Sequence, residues 1–332
     1  MTSCPELVGP LIPKKQNTSV HKVIYAEPIS TGNIRTRTHN RFKLMAHQFE
    51  HVVEGFFLQD APSTGKVASA VLPRLGLIDD SPTRWDDFRK TIKKLQNDAP
   101  RGTFYKAFYL QRHGQGFHNV AESKYGTDSW NDYWSKLYTD GNLTWGPDPS
   151  LTSLGIEQAK HVNAVWKEEL ALSPPFPEII WSSPLRRAAD TLVWTYQDTA
   201  MNGSSGVRPM FKENLRESIG LHTCDARSTS YFLRTTYGTL ENPHNAIRFE
   251  FEPSFETHDI LWKPDQRESE QSQIERTRKV VDELFREYSD QTFVSLVGHG
   301  GTISSFFKLV DHKDCEAPTG SLIPVIVKAK AT

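Results

Sequence analysis

The stretch Phe108-Tyr109-Leu110-Gln111-Arg112-His113-Gly114 decides how this chain is read. An apolar, β-prone run stops abruptly at Arg-His-Gly. That places a cation and an imidazole at the tip of a strand, with a glycine that lets the backbone turn sharply. Far downstream, Val297-Gly298-His299-Gly300-Gly301 repeats the design. Between the two, Ser182-Ser183-Pro184-Leu185-Arg186-Arg187-Ala188 supplies further cations. Two histidines and several arginines at three strand ends have the chemistry to hold a phosphate and attack it.

Outward from these motifs, strands alternate with helices. Residues 107–111, 178–182 and 293–297 read as strands, 209–211 as a short one and 322–327 as an outer one. Residues 151–170, 185–196, 269–288 and 301–309 have helical spacing, with Thr152 or Ser153 opening the first. This order implies a three-layer α/β/α fold with a mostly parallel central sheet. In such sheets the site lies beyond the carboxyl ends of the strands, where the three motifs fall. Residues 220–265 show no strong period and read as an irregular, function-bearing insertion. Residues 1–45 are polar and basic and read as an N-terminal extension, with a single domain over 46–332. Residues 85–95 have helical spacing, and 51–57 read as a short strand or turn.

The chain has 332 residues, 37 % hydrophobic and 24 % charged, with a formal net charge of −1. No global field attracts nucleic acid, so anion binding must come from a local cluster. The three cysteines, Cys4, Cys224 and Cys315, are scattered and odd in number. They argue against a disulfide framework and for a reducing compartment. No CxxC or HExxH pattern occurs, so no structural zinc site is expected. Residues 1–20 lack the apolar core of a signal peptide, and no run approaches 18 apolar residues. The expected location is cytoplasmic, with the nucleus open, and no membrane or nucleic-acid partner is expected. Oligomeric state is left open.

Each motif carries a chemical reason. A neutral His113 can attack phosphorus if its other ring nitrogen is pinned, and the carbonyl of the following glycine turn could pin it. Arg112 and Arg187 offer forked, permanently charged donors to phosphoryl oxygens. Arg187 is read as facing inward and Arg186 as facing solvent. His299 precedes a helix whose N-terminus favours an anion. Glu217, in Leu215-Arg216-Glu217, is the candidate proton donor to a leaving oxygen. Trp130, Tyr133, Trp134 and Trp145 are read as packing rather than pocket lining.

Taken in order, these residues resemble the histidine phosphatase superfamily, the phosphoglycerate-mutase-like proteins. Arg112, His113, Gly114 and Asn119 match Arg-His-Gly-x-x-x-x-Asn. Ser183, Leu185, Arg187, Ala188 and Thr191 match Ser-x-Leu-x-Arg-Ala-x-x-Thr, and Leu-Arg-Glu and Gly-His-Gly-Gly follow. The resemblance covers roughly residues 105–310. It implies His113 as phosphate acceptor, Arg112, Arg187 and His299 as the phosphate pocket, and Glu217 as acid and base. It places Asn119 near the pocket and implies no cofactor or metal. The run from Gly220 to Arg227, with His258-Asp259-Ile260-Leu261-Trp262 and Arg267-Glu268, is similar to a fungal group named as phosphomutases, relatives of which act as phosphatases. It points to His222, Arg227 and Arg234 as substrate-facing, with structural salt bridges as the competing reading.

The chain departs from mutases at Gln115-Gly116, where they carry Glu-Ser, and after Glu217. The expected activity is therefore hydrolysis of a small phosphate monoester through a phosphohistidine. The alternatives are a phosphomutase on a small metabolite and a non-catalytic, phosphatase-like interaction module.

Overall fold

The structure is a computed structural model that describes residues 47–60, 70–199, 207–238, 247–313 and 315–332. The expected extension over 1–45, with its basic residues and Cys4, lies outside them. In chain order the described elements begin with β1 (His47–Val52), α1 (Arg84–Asn97), β2 (Thr103–Arg112), α2 (Phe117–Tyr125), α3 (Thr127–Asp132) and α4 (Ser153–Glu169). Then come β3 (Ile179–Ser182), α5 (Arg186–Tyr196), β4 (Met210–Phe211), α6 (Ser230–Tyr237) and β5 (Glu250–Phe251). The chain ends with α7 (Glu270–Glu287), β6 (Phe293–Gly298), α8 (Gly300–Leu309) and β7 (Leu322–Ala331).

Seven strands form one mixed sheet in the order β1-β7-β2-β6-β3-β4-β5. The run β2-β6-β3-β4-β5 is parallel, and β7 and β1 are antiparallel to their neighbours. The α/β architecture expected from the alternation is therefore the one observed. The tail strand is not an outer one, because β1 pairs along its far side and β2 along its near side. The apolar run Leu322–Val327 could not reveal that a strand from the distant N-terminal side would cover it.

Side-chain alternation explains why both faces of the sheet are dry. Ala107 and Tyr109 of β2 join a core with Trp166 of α4 and Leu192 of α5. Phe108 and Leu110 point the other way, to Leu284 of α7 and Phe306 of α8. Strands β3 and β6 divide in the same manner at Ile180 against Trp181 and Val297 against Leu296. Each large apolar side chain so buried contributes roughly 1.5–3 kcal/mol. Thr152 caps α4 by accepting the Gly155 N–H (3.1 Å), and Ser269 caps α7 by accepting from Ser272 (3.2 Å). Among the described residues, no helix is long and apolar enough to cross a membrane.

The expected irregular region carries α6, β5 and a short turn of 3-10 helix at Thr223–Asp225. Helices α2 and α3 were not legible in the sequence, being only nine and six residues long.

One backbone approach positions the site. The turn after β2 packs directly on the first turn of α4. A Cβ on Gly114 would lie 2.2 Å from the Gly155 carbonyl oxygen, and one on Gly155 would lie 2.2 Å from the Gln115 carbonyl oxygen. The Thr152 N–H donates to that same Gln115 carbonyl (2.9 Å). Gly155→Ala is thus expected to destabilise the protein by about 1–3 kcal/mol, through overpacking that involves backbone on both sides. Chemical denaturation of the purified variant measures this, and an unchanged midpoint would contradict the packing described.

Candidate active site

Parallel pairing brings the motifs together. Arg112 lies opposite Gly298 across β2 and β6, and Val297 opposite Ser182 across β6 and β3. The residues that follow these strand ends therefore emerge side by side. The His113 N–H donates to the Gly298 carbonyl (2.9 Å), and the Ser183 N–H to Val297 (2.9 Å). The His113 and His299 rings stand 5.1 Å apart. His299 Nε2 lies 2.8 Å from Ser183 Oγ, and His299 occupies the position just before the first turn of α8.

His113 is 2 % exposed. Its Nδ1 is 2.7 Å from the carbonyl oxygen of Gly114. A carbonyl only accepts, so Nδ1 carries the proton and Nε2 keeps its lone pair. Burial, then the charges of Arg187 and Arg112, hold the ring well below the usual histidine range and hence neutral. The glycine turn is gripped from a second side. Thr191 Oγ1 accepts the Gly114 N–H (2.9 Å) and donates to the Arg187 carbonyl (2.6 Å). Arg187 and Thr191 are one helical turn apart on α5, which gives their spacing a physical meaning.

Both arginines are half committed. Arg112 donates through Nη1 to the Ala317 carbonyl (2.7 Å). Arg187, 1 % exposed, donates to the Cys224 carbonyl (2.7 Å) and to Asp225 Oδ1 (2.8 Å). Asp225 also accepts from Arg267 (2.8 Å). Burial opposes its charge, but Arg187 and Arg267 outweigh that and hold its carboxyl below the usual range. Buried polar atoms without a partner gather here: Arg112 Nε, Arg187 Nε, His118 Nδ1 and His299 Nδ1. Such atoms are rare in folded proteins and call for an explanation.

Glu217 sits at the N-terminus of α8. Its carboxylate accepts N–H donors from Ser218 (2.9 Å), Gly301 (3.1 Å) and Gln273 Nε2 (3.2 Å). A Cβ on Gly301 would lie 2.1 Å from Glu217 Oε1, so the Gly-His-Gly-Gly motif leaves room for this carboxylate. Arg216 is fully buried and held by Asp259 in a bidentate pair (2.9 and 2.6 Å).

The remaining expected residues divide. His222 is half-buried and packs edge-on against Trp130. Burial, reinforced by Arg267, lowers its pKa to about 4. Asn119 accepts the Gly116 N–H (2.9 Å) and so shapes the loop after His113. Arg227 is a correction. Its guanidinium is spent on Glu213 (2.7 Å) and the carbonyls of Ser228, Glu256 and His258, and it stacks on Phe255. It braces the irregular region and presents no free fork to a substrate. Arg234 is exposed and stacks on Phe251. Arg186 is half-buried, with its guanidinium over the Phe232 ring. Trp130 and Trp145 are buried in an apolar cluster with Trp134 packed against it, as expected, whereas Tyr133 is exposed and does not join it.

Sequence reasoning passed over His118, whose ring lies 5.2 Å from that of His113. It also left Asp225 without a role. Among the described residues, one group has metal-like spacing, His222, Cys224 and Asp225. It does not suit a cation. Two guanidiniums already hold Asp225, and burial together with the Asp225 charge pushes the Cys224 thiol up, away from the thiolate a metal needs.

A probable phosphoglycerate mutase of Arthroderma benhamiae is 36 % identical over 293 residues, covering 84 % of each chain. The chain belongs to the phosphoglycerate-mutase-like family of histidine phosphatases. A probable phosphoglycerate mutase of Saccharomyces cerevisiae is 32 % identical over 255 residues, 72 % of this chain and 85 % of that one. A phosphomutase-like protein of Candida albicans is 33 % identical over 246 residues, 73 % of this chain and 69 % of that one. No protein-family model matches the chain. Among solved structures, a phosphoglycerate mutase from Bacillus anthracis superposes with a TM-score of 0.43 at 14 % identity, covering 70 % of this chain and 94 % of that one. These relatives are named as phosphoglycerate mutases or phosphomutase-like, so the chain is of an enzyme family.

His222 gives a signed pH prediction. Its folded pKa lies below the ordinary histidine value near 6.5, so its neutral form belongs to the fold. Its contribution to stability is full above about 6.5 and is lost as pH falls toward about 4. His222→Gln should therefore lose less melting temperature than the wild type between pH 7 and pH 4.5, as read by thermal scans. An equal loss would contradict the burial assigned to this ring.

Proposed function

We propose that the protein is a phosphatase that hydrolyses a small phosphate monoester through a phosphohistidine at His113. The observation that carries the reading is the bond between His113 Nδ1 and the Gly114 carbonyl (2.7 Å), which leaves a neutral ring with Nε2 as nucleophile. Nε2 attacks phosphorus, the P–N bond forms, and the P–O bond to the alcohol breaks. Glu217 protonates the departing oxygen. Water then attacks phosphorus, gives its proton to Glu217, and the P–N bond breaks to release inorganic phosphate. Arg112, Arg187 and His299 hold the charge on the transferring oxygens, where positioning and electrostatics do most of the work. Asn119 shapes the loop, and His222, in the irregular region, is assigned to the substrate side.

The names of the fungal relatives favour a second reading, a phosphomutase. Hydrolysis is supported by the residue after the glycine turn. Gln115 Oε1 accepts from Thr152 Oγ1 (2.8 Å), and its backbone N–H donates to Gln158 (2.7 Å). That position braces α4 rather than holding a substrate for return of the phosphoryl group. The substrate is a small phosphorylated molecule, in keeping with the family.

His113→Ala is expected to lose all measurable turnover of an aryl phosphate. A wild type as inert as the variant would favour the interaction-module reading. With labelled phospho-substrate and an alcohol acceptor, free phosphate is the expected product. Transfer without release would overturn hydrolysis in favour of the mutase.

A further inference from the structure

His118 is the second residue of α2, and its ring folds back over His113, with centroids 5.2 Å apart and planes at 51°. Only a glycine two residues earlier permits this. A Cβ on Gly116 would lie 2.7 Å from His118 Nδ1 and 2.8 Å from Cε1. The side chain is 8 % exposed, and its Nδ1 is buried with no partner. Among the described residues, no hydrogen bond reaches either ring nitrogen. Folding alone gives no reason for an imidazole here, because a ring of similar shape without nitrogens would leave nothing unsatisfied. The charged and titratable groups facing it are Arg187, His113, Arg112 and His222, and burial with those charges keeps it neutral. The orphaned Nε atoms of Arg112 and Arg187 belong to the same neighbourhood.

We propose that His118 is a further phosphoryl-binding residue, donating a hydrogen bond to a non-bridging oxygen of the bound phosphate beside Arg112, Arg187 and His299. The inference rests on the reading above only in that the pocket takes a tetrahedral dianion. An entering dianion offsets the guanidinium charges and gives the imidazole the acceptor it lacks. Gly116 then has a purpose: a serine there would displace the ring.

The test uses tungstate, a tetrahedral dianion that does not itself titrate near neutrality, with affinity read by calorimetry. It needs no turnover, so its outcome is separable from whether the enzyme hydrolyses or transfers phosphate. His118→Phe should bind tungstate about 10- to 100-fold more weakly, the size of one hydrogen bond to a charged group. It should melt at or above the wild-type temperature, because a buried unsatisfied group has gone. His118→Gln, which keeps a donor, should recover most of the affinity. Tungstate affinity of His118→Phe within twofold of wild type would overturn the proposal. So would a His118→Gln protein that melts normally yet binds as weakly as His118→Phe, since a donor at this position would then not serve the anion.

Discussion

The hydrogen bond from His113 Nδ1–H to the Gly114 carbonyl depends on more of the molecule than any other contact in the site. It exists only if the backbone turns sharply after β2, and that turn is held from three directions. β6 receives the His113 N–H, Thr191 of α5 receives the Gly114 N–H, and the first turn of α4 lies against the glycine with no room for a side chain. One strand and two helices thus converge on two residues. In return they fix which nitrogen of the imidazole carries a proton, which is the chemical fact on which a nucleophilic histidine turns.

Electrostatics works around this bond at two levels. Arg187, Asp225 and Arg267 form a chain of alternating charge, buried at Arg187 and Asp225 and exposed at Arg267, that ties α5 to the segment after Glu217. Breaking such a chain by removing one member is strongly destabilising, because it leaves a buried charge without its partner. The chain also leaves Arg187 Nε unengaged, so the same side chain is anchored and available. At the next level, His113, His118, His222 and His299 are all held neutral by burial and cationic surroundings. A cluster of neutral rings and orphaned donors is poorly satisfied when alone and well suited to a dianion. Such local conflict with ideal packing is a mark of a functional site.

Much of this was legible in the sequence, and the limits are physical. The strand ends could be read because an apolar run stopping at Arg-His-Gly has few other uses in a parallel sheet. The Glu217 position followed from order along the chain, but its seat over α8 depended on Gly301, whose lack of a side chain has no meaning until the carboxylate is placed. Arg227 was misread because a guanidinium in an irregular region gives no sign of its partners: Glu213, Glu256 and His258 are spread over more than 40 residues of chain. His118 was missed for the opposite reason. It lies one residue before Asn119, and nothing in the spacing shows that Gly116 lets the ring turn back. The position of β7 inside the sheet was hidden because its neighbour β1 lies some 270 residues away.

The central claim is that His113 carries the phosphoryl group. Rapid acid-free quenching of the enzyme with an aryl phosphate, followed by mass-spectrometric mapping, tests it directly. The account predicts a phosphate on His113, on the ring nitrogen that does not face Gly114, which disappears as inorganic phosphate is released. A turning-over enzyme that never carries phosphate on His113, or carries it on another residue, would contradict it.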